Sequence, residues 1–262
     1  VIAMLVKFTL NEPRMIERKQ DNQPNTQVQP SLSNVLTTLW RQPSFRYLVI
    51  ALTLVNFVGI GVGQWFATFF IRNHGMATGE LGIWMGLIGG LSGVVGTFGG
   101  GYLADRYLAN NPRGQLRLIA LAVALLFPIY LMMLFLPAKQ LSLLQLIPIN
   151  ILILFFYGPI MAMMQQLVAD KIRAMAIAVT LLILNLIGMG LGPQIVGILS
   201  DAFTPTMGTA EALKVAMAIA SVGSLGSAYY FWIAGRTIEA DLKSANAIPE
   251  HTVIGESYVV KT

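Results

Sequence analysis

The chain of 262 residues contains no cysteine and only two histidines, His74 and His251. Disulfides, thiolate metal sites and cysteine nucleophiles are thereby excluded, and two distant histidines make no metal cluster. Charge is scarce as well: 11% of residues are Asp, Glu, Lys or Arg, against about 25% in soluble proteins. A soluble chain this poor in charge lacks the polar surface to cover a core. A disordered chain, a coiled coil and an ordinary cytosolic enzyme are ruled out together. What is abundant is apolar: 55% of residues are hydrophobic, and the mean hydropathy is +0.68.

A bilayer core about 30 Å thick needs roughly 20 apolar residues of helix. Six stretches free of Asp, Glu, Lys and Arg qualify: 47–71, 81–104, 118–138, 140–169, 174–200 and 215–235. No face of these helices carries charge, so each is expected to cross a membrane. Residues 1–10 are apolar but short and interrupted by Lys7, and read as the tail of a preceding transmembrane helix. Residues 11–44 are polar, with Pro24 and Pro30, and read as a cytoplasmic linker. Within it Leu32, Val35, Leu36 and Leu39 stand at helical spacing, which suits a short interfacial helix. The expected organisation is a six-helix bundle over 45–236 and a cytoplasmic tail over 237–262.

The charges between spans give an orientation. One set of connections holds thirteen basic residues: Arg14, Arg18, Lys19, Arg41, Arg46, Arg106, Arg113, Arg117, Lys171, Arg173, Arg236, Lys243 and Lys261. The alternate set holds three, Arg72, Lys139 and Lys214. The positive-inside rule places the first set, and both terminal segments, in the cytoplasm. The isoelectric point near 9.6 is then a mark of topology, and no nucleic-acid partner is expected.

The second span carries the most regular pattern. Gly82, Gly86, Gly89, Gly93, Gly96 and Gly100 recur at spacings of 4, 3, 4, 3 and 4, a single stripe along one helix. Each glycine costs a helix interior about 1 kcal/mol relative to alanine. In a membrane, small residues let two backbones approach closely. Static packing and a smooth face over which a neighbour rocks both account for the stripe. The span runs directly into Asp105-Arg106 and a short basic turn. A topogenic stop explains those charges. So does a gate in which the carboxylate faces the positive end of a neighbouring helix in one conformation only.

Gly101-Tyr-Leu-Ala-Asp105-Arg106, with Arg113-Gly114 and Arg117 after an insertion YLANNP, resembles the loop signature of the major facilitator superfamily. Six spans preceded by a polar loop resemble that family's C-terminal half. The resemblance implies an all-α integral membrane protein, the six-helix C-terminal bundle of a major facilitator fold. It also implies a separate N-terminal six-helix half as partner, and gating roles for Gly101, Asp105, Arg106 and Arg113. A further stretch, Ile172-Arg-Ala-Met-Ala-Ile-Ala-Val, Asn185-Leu-Ile-Gly-Met-Gly-Leu-Gly-Pro193 and Gly197-Ile-Leu-Ser-Asp201, is similar to the eleventh helix of Spinster-like transporters. Those are associated with lipid-like cargo. Gly192 and Pro193 loosen this helix, because proline lacks a donor and crowds the preceding turn. A fixed kink and a gating hinge are the two readings.

No span holds an ionisable side chain other than tyrosine, so the usual proton-relay groups are missing from them. Nor do the spans hold the Ser/His, paired Asp or metal-ligand sets that intramembrane catalysis needs, so no catalytic residue, metal or cofactor is expected. The polar groups that remain are amides and aromatics. Asn56 and Gln64 lie about 80° apart around the first helix, beside Trp65. Asn150 and Tyr157 share a stripe of the fourth span with Met161 and Met164. By the resemblance these two helices line a central cavity, and Asn56, Gln64, Trp65, Asn150 and Tyr157 are the candidate substrate contacts. Amides can equally be interhelical glue. The expected function is plasma-membrane transport of an amphipathic or lipid-like molecule by alternating access, in contact with membrane lipids. The alternatives are an organic-anion/proton symporter and a six-helix membrane protein that transports nothing.

Overall fold

The computed structural model describes residue 37 and residues 40–107 and 111–247, and every regular element among them is helical. The expectations for the segment 1–10, for most of the linker and its interfacial helix, and for the tail beyond Ala247 fall outside the described residues. Nine α-helices and one π-helical segment follow in order. They are α1 Pro43–Gly63, α2 Phe66–His74, α3 Thr78–Tyr107, α4 Pro112–Phe135 and α5 Lys139–Leu144. After them come α6 Leu146–Gln166, α7 Asp170–Leu184, the π segment Asn185–Leu191, α8 Gly192–Ser221 and α9 Gly223–Ala247.

Five stretches are long and apolar enough to cross a membrane, the last running from Ile172 to Ala245. Its 74 residues would extend about 110 Å as one straight helix, far beyond a bilayer. The chain solves this at Gly208, whose φ of 78° and ψ of 163° belong to a region only glycine enters readily. The stretch is two crossings, which makes six among the described residues.

Contacts with the first span trace the reversal. Asn56 bonds to Leu184 and Trp65 to Pro193, so the fifth crossing ascends beside the first. Asn73 then donates to Ala210, Ser227 to Ala51, and the amide of Ser44 to Asp241 at 2.8 Å, so the sixth crossing descends along it. The remaining turns are set locally. Gly75, in the left-handed conformation at φ 63°, ends α2, and the amides of Gly75 and Met76 close back on Ile71 and Phe70. Asn111 caps α4 by accepting from Gly114 at 2.7 Å, with Pro112 in the first turn. Ser142 donates to Met133 and folds α5 against α4.

The core forms where α1, α4, α6, α8 and α9 meet, around Leu48, Leu52, Leu126, Phe156, Met217 and Phe231. Three buried serines find partners on the backbone: Ser221, Ser224 and Ser227 each donate to a carbonyl, as a low-polarity interior favours, whereas the buried Tyr130 hydroxyl has no partner among the described residues. By contrast, α3 packs chiefly on α6 and leaves Ile83, Leu87, Leu91, Val94 and Phe98 exposed. The glycine stripe divides accordingly. Gly93 meets Leu154, a Cβ on Gly96 would lie 2.7 Å from the Ile151 carbonyl, and one on Gly100 would collide with the Phe155 carbonyl. Gly82, Gly86 and Gly89 have nothing within 4 Å. Close packing explains the second half of the stripe and leaves the first half open.

Candidate functional site

The first crossing is two helices rather than one. After α1 ends at Gly63, the amide of Trp65 turns to the Val62 carbonyl, and α2 begins at Phe66. The fifth crossing is broken at the same level. Proline at position 193 has no N–H and crowds the turn before it, and the seven residues preceding α8 widen into a π-helix.

The two breaks are fastened to each other. Asn56 Nδ2 donates to the Leu184 carbonyl at 2.9 Å, just before the π segment, and Trp65 Nε1 donates to the Pro193 carbonyl at 3.0 Å, just after it. Between these bonds the backbones touch: a Cβ on Gly61 would lie 3.0 Å from the Cα of Gly192. Gly188 leaves room for Asn56, since a Cβ there would lie 2.6 Å from Nδ2. Bonds from α1 and Trp65 thus satisfy carbonyls on either side of the irregular turn, the condition for breaking a helix inside a membrane.

A cavity of about 330 Å³ opens beside this joint. Its α1 wall is Leu52, Val55, Asn56, Gly59, Ile60 and Gly63, spaced 3, 4, 7, 8 and 11 residues along one helical face. Phe66, Met85 and Leu184 close it on one side, and Ile149, Asn150, Ile153, Phe156 and Tyr157 of α6 on the other. None of these residues is charged.

The structure brings three of the five candidate contacts, Asn56, Asn150 and Tyr157, to one cavity. Gln64 is exposed at the end of α1 and is not among the lining residues. Trp65 is half-buried, bonded to Pro193 with its ring against Gly197. Met161 and Met164 pack into the core rather than line the cavity, and the methionine that lines it is Met85 of α3. Gly59 and Gly63 were legible as neighbours of Asn56 on one helical face. The Leu184 carbonyl had no local signal.

Both cavity amides have a fixed orientation. Asn150 Nδ2 donates to the Leu146 carbonyl at 2.7 Å, as Asn56 Nδ2 does to Leu184. A carbonyl can only accept, so each NH2 group faces its partner. The two amide oxygens accept no hydrogen bond from the described residues, and neither does the Tyr157 hydroxyl. The cavity therefore offers two amide acceptors and a phenol that can donate or accept, on an otherwise apolar wall.

Of the gating candidates, Gly192 and Pro193 lie at the joint. Gly101 is half-buried on α3, and the Arg106 guanidinium sits 5.8 Å from the ring centre of Tyr102. Arg113 is exposed in the first turn of α4. The side chain of Asp105 lies outside the described residues. The next N-terminus in the chain, that of α4, is capped by Asn111.

A model of the Major Facilitator Superfamily matches residues 1–193. The chain belongs to that superfamily. An MFS-type efflux pump of Mycolicibacterium smegmatis is 28% identical over 204 residues, which are 78% of this chain and 47% of that protein. A bacterial homolog of the human lysosomal transporter Spinster, in its inward-facing and occupied conformation, superposes with a TM-score of 0.68 at 25% identity. That match covers 78% of this chain and 51% of the other. The inward-facing and unoccupied form matches in fold with a TM-score of 0.70 at 24% identity, over 84% of this chain and 53% of the other. The chain spans about half the length of these relatives. It is a multi-pass membrane member of the superfamily whose fold is similar to that of the Spinster homolog.

Proposed function

We propose that this bundle serves as one half of a secondary active transporter that moves an amphipathic, lipid-like molecule across the plasma membrane by alternating access. The second half is a further six-helix bundle, and the basic ends face the cytoplasm. The observation that carries the reading is the cavity. It is apolar and uncharged, lies against two broken helices, and its polar groups are two amide oxygens and a phenol.

Such a wall suits an apolar tail beside a group that donates hydrogen bonds, a hydroxyl or an ammonium. A small hydrated anion would meet two amide acceptors, a single phenol donor and no cation, and would recover little of its dehydration cost. Asn56 both lines the cavity and holds the Leu184 carbonyl, so cargo that draws on its amide disturbs the joint. Gly192 and Pro193 are the proposed hinge, and the segment from Gly101 through Asp105 and Arg106 to Arg113 is the proposed cytoplasmic gate. The kinship with an efflux pump favours export as the direction.

Counterflow in proteoliposomes tests the reading. A carrier exchanges labelled for unlabelled lysolipid, saturates, and follows the imposed gradient. Flux that rises linearly with concentration and ignores the gradient would replace the carrier with a pore or a scaffold.

A further inference from the structure

A second concavity, of about 220 Å³, lies at the opposite end of the bundle from the basic turn, between the start of α3 and α5. At its rim Lys139 Nζ and Glu80 Oε1 pair at 2.9 Å, with side chains 33% and 41% exposed. Its floor is apolar and closed, with Ile88 and Leu143 buried. Trp84 and Leu144 stand half out of it, as walls. Beyond the pocket the apolar surface continues along α3. Trp84, Leu87 and Leu91 are all exposed at spacings of 3 and 7, a ridge descending about 10 Å along the helix.

We propose that this pocket seats the headgroup of a phospholipid bearing a primary ammonium, an ethanolamine lipid, with its acyl chains along the Trp84–Leu91 ridge. The charges are complementary in kind and in order. A zwitterionic headgroup laid antiparallel to the Glu80–Lys139 pair places its ammonium on the carboxylate and its phosphate on the lysine. An exposed ion pair is weak and rearranges readily to admit a second dipole. An ethanolamine ammonium has N–H groups to donate to Glu80, and a choline has none. A glycerol headgroup brings only the phosphate, which Glu80 repels. Trp84 sits beside the charges as indoles do at a membrane–water boundary, with an apolar ring and a polar edge.

The test is native mass spectrometry of the 262-residue chain in detergent, incubated with equal amounts of dioleoyl phosphatidylethanolamine, phosphatidylcholine and phosphatidylglycerol. The ethanolamine lipid is expected to be retained about three- to fivefold over either competitor, the factor that one exposed ion pair supplies. Glu80→Gln should erase the preference over choline, and Lys139→Gln should lower retention of both zwitterions. Lys214→Gln, outside the pocket, should leave the preference intact. Equal retention of the three lipids, a preference for the glycerol lipid, or a preference that survives Glu80→Gln would each overturn the assignment.

Discussion

The side-chain amide of Asn56 donates to the backbone carbonyl of Leu184 at 2.9 Å, and that carbonyl is the last before the fifth crossing widens into its π segment. Where a helix changes from α to π spacing its carbonyls change partners, and a side-chain donor from a neighbouring helix can hold one at the seam. Asn56 supplies that donor, from a position that also lines the central cavity. The bond joins the wall a cargo would touch to the joint that would move.

Asn56→Leu keeps nearly the size of the side chain but removes the donor, so the Leu184 carbonyl loses its bond. A buried group stripped of its partner costs about 1–3 kcal/mol. Transport should fall about tenfold or more in initial-rate flux, and distance probes placed on either side of Pro193 should report a broader distribution. Wild-type flux from Asn56→Leu would show that the bond does not hold the joint.

The divided glycine stripe makes opposite forecasts for similar substitutions. Gly100→Ala should lower the melting temperature in detergent, because its Cβ meets the Phe155 backbone, and overpacking costs about 1–3 kcal/mol. Gly86→Ala faces open space and should hold or raise the melting temperature, since alanine gains up to about 1 kcal/mol in a helix. If the open half of the stripe is a sliding face, Gly86→Ala should nonetheless slow transport. Unchanged flux would leave those glycines without a role in motion.

The six crossings are legible in the sequence because exclusion of charge is a local property, readable over any twenty residues. The stripe on α3 and the weak point at Pro193 are legible for the same reason. The break at Gln64–Trp65 is legible only in part: Gly61 and Gly63 stand just before it, but its anchor, the Pro193 carbonyl, lies 128 residues away. The same distance separates Asn56 from Leu184. Helical spacing allowed Gln64 to share a cavity with Asn56. The end of α1 at Gly63 places Gln64 beyond the helix on which that spacing was counted.

His74 lies at the end of α2, half-buried, with its ring 5.4 Å from that of Phe69 and 5.6 Å from that of Phe70. Burial first, then Lys214, then Lys139, hold its pKa below the usual 6.5. Both lysines are themselves paired, Lys214 with Glu211 and Lys139 with Glu80. The unfolded chain takes up this proton more readily than the folded one. Stability is therefore full at pH 8 and declines as the pH falls through 6.5 toward the lower folded value. Melting temperatures across that window should fall for the natural chain and stay flatter for His74→Gln. Parallel curves would assign the pH dependence elsewhere.

The orientation can be read chemically, because the chain has no cysteine of its own. Single cysteines at Asn110, in the basic turn after α3, and at Thr206, beside the break at Gly208, should react with an impermeant maleimide from opposite sides. Thr206 is exposed at the far end of the fifth crossing. Labelling of both positions from one side would reject six crossings with the basic turns inside.

Cargo class is decided by chain length. An apolar wall gains about 0.8 kcal/mol for each CH₂ it buries, so affinity for a lysolipid series should rise with the acyl chain until the cavity is filled. Asn150→Ala removes an acceptor that serves only the polar end. It should weaken transport of short-chain members several-fold and of long-chain members less, with expression unchanged. Tyr157→Phe should follow the same trend. Gln64→Ala, outside the cavity, should leave the length dependence as it is in the natural chain. Transport that ignored chain length yet saturated with a small sugar acid would contradict the acceptor-lined wall. The cations for an organic anion would then have to come from outside the described residues.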